Sequence, residues 1–209
     1  MASSVIHMAV ASEVNKIIKK DYDKLLIGSI TPDISKTIGE TKIRSHFLDN
    51  EIDNIPNLQR FLAKYKKNLN DDFVLGYYIH LFTDYLWFKY FIPEIQTNDY
   101  ITKIDGTKIK CTEYMFRKYI YNDYTNLNKE LIDEYKLDLS VFYKRMPKLN
   151  KTIEEIPMDK IKLIIDKSAE IIEKSKVNKD LIFDIKNIKK FIETSTELTI
   201  ANLKELGIK

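Results

Sequence analysis

Three histidines and two aspartates in the first 84 residues are the side chains of this sequence best suited to bind a metal. His7, His46 and His80 are its only histidines among 209 residues. Asp33 lies in a GSITPD turn, and Asp84 follows His80 by four residues. Imidazole nitrogens and carboxylate oxygens are common ligands of zinc and related divalent metals. We therefore predict a metal site assembled from four separate segments of the chain.

The spacing of His80 and Asp84 suits binding from one helix. Residues four apart share a helical face, with roughly 5–6 Å between their Cβ atoms. Taken alone, the pair is more typical of a buried histidine hydrogen-bonded to an aspartate. Asp33 alone indicates a turn or helix cap, His46 a partly buried histidine, and His7 a core position. The prediction therefore depends on all five residues occurring together.

The overall composition excludes several functional classes. With 34 basic and 31 acidic residues, the net charge is +3, too small to attract nucleic acid over a broad surface. A single cysteine, Cys111, allows neither an intrachain disulfide nor a thiolate metal site. The start has no basic and apolar signal segment, and the most apolar stretch, 73–95, is interrupted by charged residues. We expect a cytoplasmic protein without stable membrane insertion and without a nucleic-acid partner; the oligomeric state stays open.

Low glycine and proline content, five of each, favours long helices over many strands. Apolar spacing and caps predict helices at 5–20, 57–68, 71–91, 113–135, 158–174 and 179–205. Pro93 is expected to end the third of these. Residues 21–45, which include Gly28, are predicted to be loop, and a short helix is predicted at 45–53.

One small β-hairpin is expected near 99–112. Alternating apolar and polar residues flank Asp105-Gly106 there, a pair typical of a two-residue hairpin turn. The fold class predicted is thus all-α, a multi-helix bundle with a small hairpin insertion. We expect a single domain over 1–209, with a metal-site core at about 1–136 and packing helices at about 150–209.

The order of these residues resembles that of the zinc-dependent phospholipase C family, which has a more distant tie to single-strand-specific zinc nucleases. The likeness covers roughly residues 5–90 and is thinner to about 135. Its motifs are GSITPDI, SHF and GYYIHLFTDYLW. The resemblance implies that Asp33, His46, His80 and Asp84 hold one ion, and that Asp84 bridges to a second ion bound by His7.

The sequence departs from this family at two places. Secreted members complete the second site with an N-terminal tryptophan, whereas this chain begins Met-Ala-Ser-Ser. Their third ion needs two further histidines and a glutamate, but no histidine follows His80. We therefore expect one or two divalent ions, with zinc favoured and manganese or iron as alternatives.

The predicted activity is hydrolysis of a small phosphate ester, most plausibly a phosphodiester, by metal-activated water. A bound divalent ion lowers the pKa of water from 15.7 to about 7. Asp33 is then both a ligand and the candidate proton acceptor. The alternative is a non-catalytic helical protein that binds a metal or a phosphorylated ligand after losing part of the metal cluster.

Two further residues are weaker candidates for substrate binding. Arg44, two residues before His46, can pair with phosphate oxygens through its guanidinium group. Asp123 lies between aromatic residues on a predicted helix and can supply a carboxylate, although a surface position is the more common outcome for such an aspartate. The tyrosines and tryptophan around His80 are expected to be core rather than pocket residues.

Overall fold

The computed structural model describes residues 2–52, 54–97, 99–175 and 182–208. Within these ranges most residues are helical, and two short strands form one antiparallel sheet. The prediction of an all-α fold with a small hairpin is confirmed at this level.

The first helix begins close to its predicted start. Helix α1 spans Ser4–Ile18, and the hydroxyl of Ser3 accepts a hydrogen bond from the backbone N–H of Ile6 at 3.2 Å. Such a side-chain cap satisfies one of the N–H groups that the first helical turn leaves without a partner. The cap fixes where α1 starts, and therefore where His7 lies.

The prediction of a loop at 21–45 is wrong for its first part. Helix α2 spans Tyr22–Ile30 and is capped by Asp21, whose carboxylate accepts from the N–H of Lys24 at 3.2 Å. A 3-10 turn at Thr31–Asp33 and the short helix α3, Ile34–Thr37, follow without a break.

Gly28 explains this error, because it serves packing rather than chain reversal. It faces helix α5, which spans Asp72–Leu86. A Cβ atom on Gly28 would lie 2.2 Å from the carbonyl oxygen of Phe73, and one on Gly76 would lie 2.1 Å from that of Leu25. The two glycines thus let the backbones of α2 and α5 come into direct contact.

Helix α5 begins within one residue of its predicted start, with Asp71 as its cap, but runs on beyond its predicted end. It continues as a π-helical segment, Trp87–Phe91, and then as helix α6, Ile92–Ile95. Pro93 lies in the first turn of α6, directly after the π-helical segment. The prediction that Pro93 ends the helix is therefore wrong.

Residues 45–52 form turns rather than the short helix predicted at 45–53. None of the described residues of that segment is helical, and Phe47 has a left-handed backbone with φ of 55°. An α-helix of L-residues cannot continue through such a conformation. Helix α4 then spans Leu58–Tyr65 and ends in a 3-10 turn, in agreement with the helix predicted at 57–68.

The hairpin forms where it is expected. Strand β1, Tyr100–Thr102, pairs with β2, Lys108–Lys110. The connection is longer than two residues, and Gly106 takes a positive φ of 80° within it.

The remaining helices are α7 (Glu113–Tyr135), α8 (Val141–Lys144), α9 (Ile161–Lys174) and α10 (Ile185–Glu205). The predicted helix start at 179 lies outside the described residues, and the helix begins at Ile185.

Helices α1 and α5 occupy the centre of the fold. α1 packs against α2, α5, α7 and α10, and nearly every residue of α5 is buried. His7 on α1 and His80 and Asp84 on α5 are therefore shielded from solvent. Among the described residues, no helix is both long enough and apolar enough to cross a bilayer.

Candidate metal centre

The structure brings all five predicted ligand residues together. His7 comes from α1, Asp33 from the 3-10 turn, His46 from the turn after α3, and His80 and Asp84 from α5. All five residues are buried. Two overlapping groups of ligand atoms arise, one of His7, His80 and Asp84, the other of Asp33, His46 and His80.

Four of these atoms are spaced like the ligands of a single ion. His46 Nε2 lies 3.2 Å from His80 Nε2, 3.5 Å from Asp33 Oδ1 and 3.6 Å from Asp84 Oδ2. His80 Nε2 lies 3.7 Å from Asp84 Oδ2. Tetrahedral ligands on zinc, with bonds of about 2.0–2.2 Å, are about 3.3–3.6 Å apart. Each of these four distances is close to that spacing, and the ligand atoms of Asp33, His46 and His80 together form one set that could hold an ion.

The fifth residue lies on the other side of the Asp84 carboxylate. Asp84 Oδ1 is 3.3 Å from His7 Nε2 and accepts a hydrogen bond from the backbone N–H of Ala2 at 3.0 Å. Asp84 Oδ2 faces His46 and His80 instead. A carboxylate whose two oxygens face separate histidines has the geometry of a bridge between two ions.

Several buried polar atoms of this cluster have no hydrogen-bond partner within the described part of the chain. They are Asp33 Oδ1, Asp84 Oδ2 and both ring nitrogens of His7. Leaving a buried polar group unsatisfied costs about 1–3 kcal/mol, and more for a charged one. Divalent cations at the centre would satisfy the two carboxylate oxygens and the one His7 nitrogen that carries a lone pair, so the donor set fits a metal.

Two neighbouring serines orient the histidines. His80 Nδ1 lies 2.7 Å from the carbonyl oxygen of Ser29 and must donate to it, which leaves Nε2 of the neutral ring with a lone pair. His46 Nδ1 lies 2.9 Å from the hydroxyl of Ser45. Tyr77 donates from its hydroxyl to the carbonyl oxygen of Ser45 at 2.5 Å and so anchors this turn. Such contacts orient metal-binding imidazoles.

Burial keeps both of these histidines in the form that binds metals. Desolvation lowers the pKa of His46, and the nearby ammonium of Lys42 adds to this effect. Desolvation also holds the pKa of His80 well below its ordinary value, with a further contribution from His7. Both rings are therefore neutral at neutral pH, with a lone pair available for a cation.

The two carboxyl groups are ionised despite their burial. Desolvation raises the pKa of Asp33, but the contact with His46 and the charge of Lys42 outweigh it and hold the pKa well below the usual range. For Asp84, burial likewise acts upward, but the interactions with His7 lower the pKa far below its ordinary value. Two buried negative charges thus lie at the centre.

Lys42 is a member of the site that the sequence did not reveal. Its Nζ lies 3.9 Å from Asp33 Oδ1, and its side chain is 18% exposed. Desolvation lowers the pKa of Lys42 to about 8, although Asp33 and Asp84 act in the opposite direction. Its position four residues before His46 would indicate a shared face only in a helix. The segment between them is a turn, so the spacing gave little indication of the role of Lys42.

The two candidate substrate-binding residues have backbone partners in later segments of the chain. Arg44 is exposed, and its guanidinium donates to the backbone carbonyl of Glu154 at 3.1 Å. Asp123 is buried rather than at the surface, and its carboxylate accepts from the backbone N–H groups of Ile182 and Phe183 at 2.5 and 2.9 Å. Arg44 thus binds the backbone at Glu154, and Asp123 binds the backbone at Ile182 and Phe183. Neither residue is included in the site proposed below.

No protein-family model, curated protein or solved structure matches this chain. The metal centre must therefore be interpreted from its own geometry and chemistry.

Proposed function

We propose that this chain is a metal-dependent hydrolase of phosphate esters. The observation that carries the proposal is the buried cluster of ligand atoms around His46 and His80, extended by His7 on the far side of Asp84. The order of these five residues resembles that of the zinc-dependent phospholipase C family, which supports a phosphoester substrate and a helical bundle of that type.

Zinc suits the donor set best, because imidazole nitrogens and carboxylate oxygens are among its usual protein ligands. Manganese and iron are the alternatives. A divalent cation bound here would supply a water of lowered pKa and would neutralise charge on the phosphoryl oxygens.

The residues of the chain have distinct parts in this scheme. His46, His80 and Asp84 are fixed by burial and by the backbone and serine contacts described above, so they hold the cation in place. Asp33 is the most exposed of the five, at 7%. We therefore assign Asp33 the second task of accepting the proton released by the attacking water. Lys42 lies beside it and stabilises its ionised form.

A non-catalytic metal-binding protein is the second candidate. One observation favours it: His7, His46, His80 and Asp84 are at most 1% exposed, which leaves little room for substrate on their side of the centre. Structural zinc sites are closed by four protein ligands, whereas catalytic sites keep a position open for water.

Metal analysis and a hydrolysis assay on the same preparation test the proposal. We expect stoichiometric divalent metal in the purified chain, and hydrolysis of bis-p-nitrophenyl phosphate that a chelator abolishes and added zinc or manganese restores. His46→Asn should lose both metal and activity, and Asp138→Asn, at an exposed aspartate, should lose neither. Bound metal with no turnover of any phosphate ester would favour the non-catalytic alternative, and absence of metal binding would reject both.

A further inference from the structure

The metal centre opens toward the surface at Asp33. This residue lines a cavity of about 530 Å³ that is also bordered by the start of α1 and by α7 and α9. The volume lies within the roughly 300–1,000 Å³ typical of small-molecule sites. We call it the Asp33 cavity, and the residues that matter below are Asp33, Lys36, Tyr121, Tyr124 and Lys167.

The charges that line the Asp33 cavity are mostly positive. Lys36 and Lys167 contribute ammonium groups, and Asp33 is the one acidic residue among its described lining residues. Lys167 is paired with Glu170 at 2.9 Å. Lys36 instead donates to the hydroxyl of Tyr121 at 2.9 Å, a neutral partner. Within the described residues, no carboxylate forms an ion pair with Lys36, so its charge is available to a ligand.

Lys42 brings a second cation to the same place. It lines a neighbouring cavity of about 710 Å³, which shares Lys36, Tyr121 and Tyr124 with the Asp33 cavity. Exposed Glu40 and Glu51 also line this second cavity, but Lys42 is the residue whose Nζ lies 3.9 Å from Asp33 Oδ1. Two lysines of adjacent chain segments therefore flank the approach to Asp33.

The aromatic surface of this region is already engaged by a cation. Lys36 Nζ lies 5.5 Å from the centroid of the Tyr121 ring. Quaternary ammonium groups such as choline bind on the faces of aromatic rings. Because the Lys36 ammonium already lies against the Tyr121 ring, the positively charged choline group of a substrate would be repelled there.

We propose that the site takes small phosphate esters that carry at least two negative charges, and that Lys36 and Lys42 neutralise the second charge. The reacting phosphate lies at Asp33, and the lysines face its remaining oxygens or an anionic group on the esterified alcohol. Lys36 and Lys42 are thus specificity residues, which disfavour choline esters. This inference rests on the proposed hydrolase function.

Two p-nitrophenyl esters of different charge test it. The metal-loaded protein is assayed with p-nitrophenyl phosphate, a dianion, and p-nitrophenyl phosphorylcholine, a zwitterion. For Lys36→Met we expect the ratio of the two kcat/KM values to fall about tenfold, the size of one charge-assisted contact. Lys42→Met should act in the same direction, and Lys42→Arg should retain most of the preference. Lys204→Met, an equal charge loss at an exposed position of α10, should leave the ratio unchanged.

A binding measurement separates this inference from the proposed activity. Calorimetric titration with inorganic phosphate and with phosphorylcholine needs no turnover. We expect Lys36→Met to weaken phosphate binding about tenfold and to shrink the difference between the two ligands. If phosphate binding depends on Lys36 but no ester is hydrolysed, the hydrolase proposal fails and the charge preference stands. If both esters are hydrolysed in a ratio that neither lysine alters, the charge preference alone is overturned.

Discussion

The imidazole of His7 stacks on the imidazole of His80, with ring centroids 3.6 Å apart and planes inclined by 14°. Because the lone pair of an imidazole lies in the plane of its ring, these two rings direct their lone pairs in nearly parallel planes about as far apart as the ring centroids. They are therefore poorly placed to bind one ion from separate corners of a tetrahedron. They are better placed to hold two neighbouring ions, with the Asp84 carboxylate between them.

This arrangement predicts unequal effects when single histidines are replaced. His7→Asn should remove at most one ion per chain, because the four atoms around His46 remain. His80→Asn should abolish binding at the main site, since His80 lies in both groups of ligand atoms. Elemental analysis of the two purified variants gives the stoichiometries. Equal metal loss in both variants would show that all five residues serve one ion.

The serine beside His46 should affect metal affinity without contributing a ligand. Ser45→Ala removes the hydroxyl 2.9 Å from His46 Nδ1, so the ring is less firmly oriented. Losses at such supporting contacts typically cost about 10–100-fold in metal affinity. Competition with a chromogenic zinc chelator measures the change. Ser168→Ala is the matched control, because Ser168 is buried and its hydroxyl makes no hydrogen bond within the described chain. Equal affinity in both variants would contradict the role of Ser45.

The sequence was most informative where residue type and spacing alone decide the outcome. His80 and Asp84 share a helical face by spacing, and α5 positions them as expected. Asp71 and Ser3 are caps of a kind that local sequence reveals. The meeting of His7, Asp33 and His46 with this pair was suggested by their order along the chain, because no local pattern links residues so far apart.

The predictions from sequence were wrong where contacts between distant parts of the chain decide local structure. Gly28 has the composition signal of a loop, but it lies mid-helix because the backbone of α5 passes against it. The turn of His46 is set by the left-handed conformation of Phe47 and by the hydrogen bond from Tyr77, a residue far along the chain. Lys42 joins the site through this turn, so its role was invisible before the turn was known.

Gly28 should tolerate no side chain. Gly28→Ala would place a Cβ 2.2 Å from the carbonyl oxygen of Phe73, a backbone atom that cannot move aside like a side chain. We expect a loss of about 3 kcal/mol or more in the free energy of unfolding. Gly207→Ala is the control, because the added Cβ meets no atom within 4 Å and its φ of 82° costs only about 1–2 kcal/mol. Urea denaturation compares the two variants, and equal losses would contradict direct backbone contact between α2 and α5.

The metal-free protein should lose stability as the pH falls below about 6.5, the ordinary pKa of histidine. His46 and His80 have lowered pKa values in the folded state, so the unfolded chain takes up protons that the folded chain does not. Above pH 6.5 both states are neutral at these rings, and no stability is gained or lost there. Below it, each ring reduces the free energy of unfolding by up to about 1.4 kcal/mol per pH unit.

Urea midpoints of chelator-treated protein between pH 8 and pH 5 measure this slope. The variant with His46→Asn and His80→Asn should show a shallower decline, because the two rings no longer titrate. A wild-type midpoint that stays constant over this range would show that the rings are accessible to protons in the folded state, and so are not held in the neutral form that a metal requires.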